Sequence, residues 1–450
     1  LAHNMRKLLI LFLLLLATIS QAQFRMGFSY SHKARKTISF VVPAPAKLNL
    51  TADNVWPLTH IQGDLGLLVD NNIATALPPT YNSISDTTIL HFNLQAVHTL
   101  QKIMIYHTLG TQQIKLEGRM TFSTSETPTV IYQGSISAYN SWVTYNNTGT
   151  YRWITFTYLS PNSTFPPEIE IYGSPLSALQ SIAPVSFTAD TLKGAQLGTN
   201  SYNWVTNETP RSMKWYRNYT EMKWVATTQG PFEDSLMFNR GQGDFNDYIM
   251  DSIKRKGFTQ MLCIQDGPRY LNNVTSTTGD SRYRAHAYNA DSYAPLSYLR
   301  YAKVITQYVY RYGSVPTADA NLKLYSWTRS NGYFVQSRVS GLDLVKYYEL
   351  GNEEDKWWEG MQGRYDAFQY AALLSMCWDG HEGLVAGVGM KVAAPDSKLV
   401  AAGLAANNWK YYALMHQWFI DNRADDQFCV DMINFHTYPS NGLDGQFSGD

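Results

Sequence analysis

Asn352 and Glu353 stand together directly after Leu350-Gly351, with Trp357 and Trp358 a few residues further on. A carboxyl group beside an amide and two indoles is a set suited to cutting a sugar. Glycoside cleavage passes through an oxocarbenium-like state. One carboxylic acid protonates the leaving oxygen while a second carboxylate attacks the carbon or activates water. Partial burial and a neighbouring carboxylate raise the acid's pKa enough to keep its proton near neutrality. Asn352 can donate to a sugar hydroxyl beside the reacting carbon. Glu354 is the rival acid, and the Asn-Glu order favours Glu353. Trp357 is expected to line a sugar subsite, although either indole could instead pack under a loop. An Asn-Glu pair is also a common way for a loop to begin.

The elements that must position these groups are legible in the flanking pattern. Val345–Leu350 is a short β-branched, aromatic and aliphatic run and reads as a buried strand that stops at Gly351. Around it strands and helices alternate. Strands are expected at Gly194–Asn200, Met213–Tyr219, Phe258–Gln265, Lys398–Ala402 and Met432–His436, and helices at Asp244–Lys256, Leu296–Tyr312, Tyr365–Trp378 and Trp409–Asn422. Alternation with chemistry-bearing residues at strand ends argues a (β/α)8 TIM-type barrel. The fit is imperfect. Little chain separates the first two strands, and much of 266–291 and 315–341 must form long loops over the active face.

Upstream the pattern differs. From Thr51 to Pro175 short alternating strands, among them Thr88–Leu94, Lys102–His107, Thr129–Gln133 and Tyr151–Leu159, are separated by Asn, Gly, Ser and Pro, as in an antiparallel β-sandwich. Met5-Arg6-Lys7, the apolar run Leu8–Ile19 and Ser20-Gln21-Ala22 read as a secretory signal peptide cut after Ala22, too short to span a membrane. The expected organisation is therefore a signal peptide (1–22), a basic lead-in (23–50), the sandwich (51–175), a small-residue linker (176–184) and the barrel (185–450). The mature protein is expected to be secreted, either outside the cell or in a periplasm.

Lys plus Arg equals Asp plus Glu, 36 each, so the net charge gives no support to a nucleic-acid partner. Charged residues make up only 16% of the 450, which argues against extensive disorder. Cys263, Cys377 and Cys429 fit no zinc spacing and read as buried thiols. His381-Glu382 lacks the second His of a metalloprotease helix, and no Gly-x-Ser-x-Gly elbow occurs. No metal or organic cofactor is implied, and a carbohydrate is the expected partner.

Two family resemblances sharpen these expectations. Leu68–Thr75, Ile89–Leu94 and Glu168–Gly173 resemble strand and turn signatures of discoidin-like (coagulation factor type C) domains, with Ala76-Leu77 where that family usually carries Trp. Many such domains bind glycans and some bind calcium. That resemblance makes Asp70 and Asn72 weak calcium candidates, hydrogen bonding within the turn being the competing role. The second region resembles clan A glycoside hydrolases, retaining β/α-barrel enzymes whose fourth strand ends in Asn-Glu. The resemblance makes Glu353 the acid/base. It makes Arg217, in Trp215-Tyr216-Arg217-Asn218, a support for the nucleophile, and it places His436 and Tyr438, in His436-Thr437-Tyr438, beside it. Each also has a structural reading: Arg217 as an ion-pair partner, His436 as a core histidine, Tyr438-Pro439 as a turn.

That clan's nucleophile is a Glu ending the seventh strand, and Thr437–Asp450 cannot hold two further strands with their helices. With the start at Leu1 ahead of Met5, the chain is expected to be a fragment, inactive alone. The competing function is a non-catalytic glycan-binding protein or adhesin that keeps a barrel as scaffold.

Overall fold

The computed structural model describes residues 46–58, 65–75, 88–107, 111–159, 168–176, 198–201, 214–222, 245–268, 271, 284–287, 289–324, 337–356, 364–405 and 408–436. The signal peptide, most of the lead-in, most of the linker, Trp357, Trp358 and Tyr438 lie outside them.

The first half is an antiparallel β-sandwich. Its strands are β1 (Ala46–Lys47), β2 (Val55–Pro57), β3 (Thr88–His107), β4 (Thr111–Arg119), β5 (Thr129–Ser137), β6 (Ser141–Asn146), β7 (Thr150–Tyr158) and β8 (Glu168–Pro175). They pair in the order β1-β8-β3-β7-β4-β5, with β2 and β6 also on β3. The two expected strands Thr88–Leu94 and Lys102–His107 are one continuous strand. Its first half pairs with β2 and β7 and its second half with β6 and β8, and the register shifts between Asn93 and His98. A bulge there, with Gln95 at φ 61°, lets a single strand serve both layers. Leu90, Phe92, Ile105, Ile114, Phe156 and Ile171 fill the space between them. The sandwich also starts earlier than the lead-in boundary at 50 implied. Ala46 and Lys47 pair with Gly173 and Tyr172, and Leu50 joins the core.

The turn after Leu68 closes on itself. Asp70 accepts from the Asn72 amide (2.9 Å) and the Thr75 hydroxyl (2.7 Å), and Asn72 accepts from the Ala74 amide (3.1 Å). Beside it, Glu168 is 1% exposed and accepts from the Asn72 amide at 3.2 Å. Burial pushes its pKa up to about 7, against the pull of that amide and of Lys47. The unfolded group titrates near 4.5. Between those values the folded state holds a proton that the unfolded chain has lost, so stability falls as pH rises through the window. The full effect is about 3 kcal/mol. Glu168→Gln is expected to flatten that slope: the fall in Tm between acidic and mildly alkaline buffer should shrink in thermal melts of the variant.

The second half carries a five-stranded, wholly parallel sheet of β9 (Gly198–Ser201), β10 (Trp215–Glu221), β11 (Thr259–Gln265), β12 (Tyr347–Leu350) and β13 (Lys398–Ala401), each next to its neighbour in sequence. Between and after them run α1 (Phe245–Arg255), α2 (Leu299–Tyr312), α3 (Ala367–Gly383), the short α4 (Met390–Ala393) and α5 (Trp409–Asn422). Asp366 caps α3 by accepting from the Phe368 and Gln369 amides, while Gln369 reaches back to the Asp366 amide. Regular helix ends near Trp378, where Gly380, His381 and Glu382 turn left-handed.

Alternation sorts the sheet's two faces. Leu262, Ile264, Tyr348, Leu350, Leu399 and Ala401 pack into the same core as the helices. In register on the other face lie Tyr219, Cys263, Glu349 and Val400, with Arg217 two residues before Tyr219.

The expected sixth strand, Met432–His436, forms only isolated parallel bridges, Met432 to Val400 and Phe435 to Leu404. The ladder breaks because the amides of Ala402 and Gly403 donate to the Tyr370 hydroxyl (2.7 Å) and the Glu349 carboxylate (3.0 Å) instead.

The sandwich packs along α5. Lys410 donates to the Val55 carbonyl at 3.0 Å. At the other end of the helix Asp421 and Asn422 accept from the amides of Phe122 and Thr124, each at 2.7 Å. Trp56, Phe122 and Trp153 of the sandwich share one core with Phe368 and Trp418. Among the described residues no helix is long and apolar enough to cross a membrane, and all three cysteines are buried free thiols.

Candidate active site

Arg217 from the middle of β10, which runs on to Glu221 rather than ending at the Arg, the loop after β12 and the segment after Met432 bring four of the sequence-expected residues together. Arg217 donates from Nη2 to Asn352 Oδ1 at 2.9 Å. His436 Nδ1 lies 2.7 Å from Glu353 Oε1, and both side chains are 15% exposed. The Asn352-Glu353 loop is held at each end. Gly351 still pairs with Ile264 of β11 (2.8 Å), and the Glu353 amide donates to the Gly403 carbonyl just past β13 (2.9 Å). Lys356, itself buried, donates to the Asn352 carbonyl at 2.8 Å.

Glu353 adopts φ 54°, a left-handed conformation that a non-glycine residue takes at some expense in energy and that these contacts enforce. Glu354 turns away, its carboxylate accepting from the Asn352 amide at 3.0 Å. Gly351 makes that possible: at φ 98°, a Cβ there would lie 2.2 Å from Glu354 Oε1.

Below the loop sits a residue the sequence reading missed. Glu349 is fully buried, yet it accepts from Arg217 Nε (2.5 Å), Asn434 Nδ2 (2.8 Å) and the Gly403 amide (3.0 Å). Arg217 thus forks, one arm on Glu349 and another on Asn352. Its Nη1 also donates to the Tyr219 hydroxyl, over whose ring the guanidinium lies at 4.5 Å. Burial disfavours the Arg217 cation, but its hydrogen bond to Glu349 and the charge of that carboxylate outweigh this and lift its pKa above the ordinary value. Cys263 cannot be the partner that matters. Burial first, and the charge of Glu349 second, push its thiol well above the usual range, so it stays protonated. It donates to the Gly351 carbonyl at 3.3 Å.

Gly403 joins both halves of this arrangement. Its carbonyl holds the Glu353 amide and its amide holds Glu349. A Cβ there would meet the His436 ring at 2.3 Å. Gly403→Ala is therefore expected to displace the His436 ring from Glu353. The NMR signals of the His436 ring should shift, with a small change in Tm in thermal melts.

The signal that could have exposed Glu349 was a carboxylate inside an otherwise buried strand, which demands a buried cation. Asn434 and Gly403 carried no comparable mark. Among the described residues no group of three or more His, Cys, Asp or Glu side chains is placed to hold a metal ion.

No family model and no curated protein matches the sequence. Solved structures that resemble part of this chain include carbohydrate-binding modules. A family 32 CBM from C. perfringens NanJ in complex with galactose shares 16% identity over 28% of this chain and 98% of its own, with a TM-score of 0.24. The C-terminal domain of a chitobiase from Bacteroides fragilis shares 15% over 29% and 100%, also at 0.24. Chitosan-binding module 1 of a chitosanase/glucanase from Paenibacillus sp. IK-5 shares 14% over 28% and 99%, again at 0.24. At identities this low, no ligand and no residue role passes from those proteins to this chain.

Proposed function

We propose that this chain belongs to a secreted retaining glycoside hydrolase that cuts O-glycosidic bonds in an oligo- or polysaccharide, with Glu353 as its acid/base. Glu353 protonates the leaving oxygen, a second Glu attacks the anomeric carbon, and Glu353 then takes a proton from the incoming water. Asn352 holds a sugar hydroxyl beside the reacting carbon, and Arg217 fixes Asn352. His436 orients the Glu353 carboxyl. Trp357 and Tyr438, outside the described residues, keep the sugar-contacting role expected from the sequence. The parallel sheet belongs to a (β/α)8 barrel, and the nucleophile lies about 5–5.5 Å from Glu353.

The observation that carries this reading is the placement of Glu353. It is partly exposed, held in a left-handed conformation at the C-terminal edge of a parallel sheet, and 2.7 Å from His436. The catalytic edge of such sheets is where β/α enzymes place their chemistry. The test is stereochemical. The protein is incubated with a panel of oligosaccharides and the first-formed anomer is followed by proton NMR. Retention supports the reading; inversion, or no turnover of any saccharide, overturns it.

A further inference from the structure

Lys356 closes the Asn352-Glu353 loop, and it is a cation in an unusual setting. It is 3% exposed. Its Nζ donates to the Asn352 carbonyl at 2.8 Å, and it takes part in no ion pair among the described residues. Three other buried cations of this chain are matched by carboxylates: Arg217 by Glu349, Arg311 by Asp247, and Arg423 by Asp379 and Asp425. An ammonium taken out of water with one neutral acceptor costs folding free energy that a Met of similar length would not. Stability alone therefore gives no reason for a lysine here.

Its place in the loop supplies one. The carbonyl it holds belongs to the peptide bond between Asn352 and Glu353, and the N–H of that same bond donates to Gly403. Given that contact and the fixed dimensions of the peptide and side chain, Nζ lies no more than about 10 Å from the Glu353 carboxyl. The charges around Glu353 come from several elements. Glu354 and Asp355 follow it on the loop, their carboxylates accepting from the amides of Asn352 (3.0 Å) and Ala405 (2.8 Å). Glu349 of β12 is matched by Arg217 of β10. Cys263 of β11 stays protonated. His436, from the segment after Met432, reaches Glu353 at 2.7 Å. Lys356 is the cation that the loop itself supplies against three successive carboxylates.

A retaining acid/base has use for such a charge. Glu353 must hold a proton while the nucleophile is ionised, and must lose it once the nucleophile is glycosylated, so that it can draw a proton from water. Partial burial and neighbouring carboxylates favour the protonated state. A nearby cation favours the ionised one. We propose that Lys356 is a positioning residue for Glu353: its ammonium pins the Asn352–Glu353 peptide, and its charge brings the proton affinity of the Glu353 carboxyl down into the working range. The proposal takes the acid/base role of Glu353 from the reading above, but the charge coupling can be measured without it.

The test titrates the Glu353 carboxyl directly. The full chain is labelled with carbon-13 at its glutamate carboxyls, and the Glu353 resonance is assigned by its loss in Glu353→Gln. In Lys356→Met the titration midpoint should rise by about one pH unit, with no fall in Tm. Lys356→Gln, a second neutral variant, should show the same rise, and Lys356→Arg should return most of it. An unchanged or lowered midpoint in the neutral variants overturns the proposal. So does a rise in Lys356→Arg as large as in Lys356→Met, which would make packing rather than charge the cause. No turnover is needed for this readout. A midpoint that moves in a protein hydrolysing no saccharide would therefore sustain the coupling and refute the hydrolase reading. Where a saccharide is cut, the alkaline limb of kcat/KM should move with the midpoint.

Discussion

Glu353→Gln is expected to lower kcat by about 10²–10⁴-fold while saccharide binding persists. The substitution keeps the shape of the side chain and a carbonyl oxygen that can accept from His436, which lies 2.7 Å from Glu353 Oε1. The loop should therefore survive, since it is anchored through backbone groups at Gly351, Asn352 and Glu353. What disappears is the proton. Two further readouts separate a proton donor from a structural residue. An aryl glycoside with an acidic leaving group needs little protonation, so its first step should be nearly restored in the variant. Added azide, which needs no general base, should then speed breakdown of the glycosyl-enzyme and yield a glycosyl azide. If rates fall equally for all leaving groups and azide does nothing, Glu353 is not the acid/base. If binding is lost along with turnover, the non-catalytic or structural readings of this loop gain ground.

How much of this was legible follows from where local pattern and tertiary demand agree. Helix α5 runs from Trp409 to Asn422 as its pattern requires, and β12 and β13 lie within a residue or two of their apolar runs. There the pattern and the packing make the same demand. They part at the end of β13. Nothing in Ala402-Gly403 announces that two backbone amides will be diverted to Tyr370 and Glu349, yet that diversion is what breaks the next strand into single bridges. They part again at β3, where a polar stretch that reads as a loop is a bulge inside one strand of 20 residues. The candidate site was half visible. Asn352, Glu353, Arg217 and His436 converge, whereas Glu349 lay hidden in Tyr347–Leu350, since a charge inside a strand gives no hint of its partner until strands are set side by side.

The largest effect on stability is expected at Arg217. Glu349 is fully buried, and Arg217 is its one cationic partner among the described ion pairs. Arg217→Met would leave that carboxylate to neutral donors such as the Asn434 amide and the Gly403 N–H. Breaking one side of a buried pair strands the other charge, at a loss of about 3–5 kcal/mol. Glu349→Gln in the same chain removes the stranded charge. The double variant Arg217→Met/Glu349→Gln should therefore be more stable than Arg217→Met by itself, a non-additivity that urea denaturation would measure. Strict additivity would mean that the two side chains do not act as a pair.

Arg217→Lys then separates stability from catalysis. An ammonium can neutralise Glu349, but it has no planar fork to reach Glu349 from Nε and Asn352 from Nη2 at once. Most of the stability should return while Asn352 is left untethered, and kcat/KM should stay well below wild type. Full recovery of both would reduce Arg217 to an ion-pair partner with no part in positioning the site.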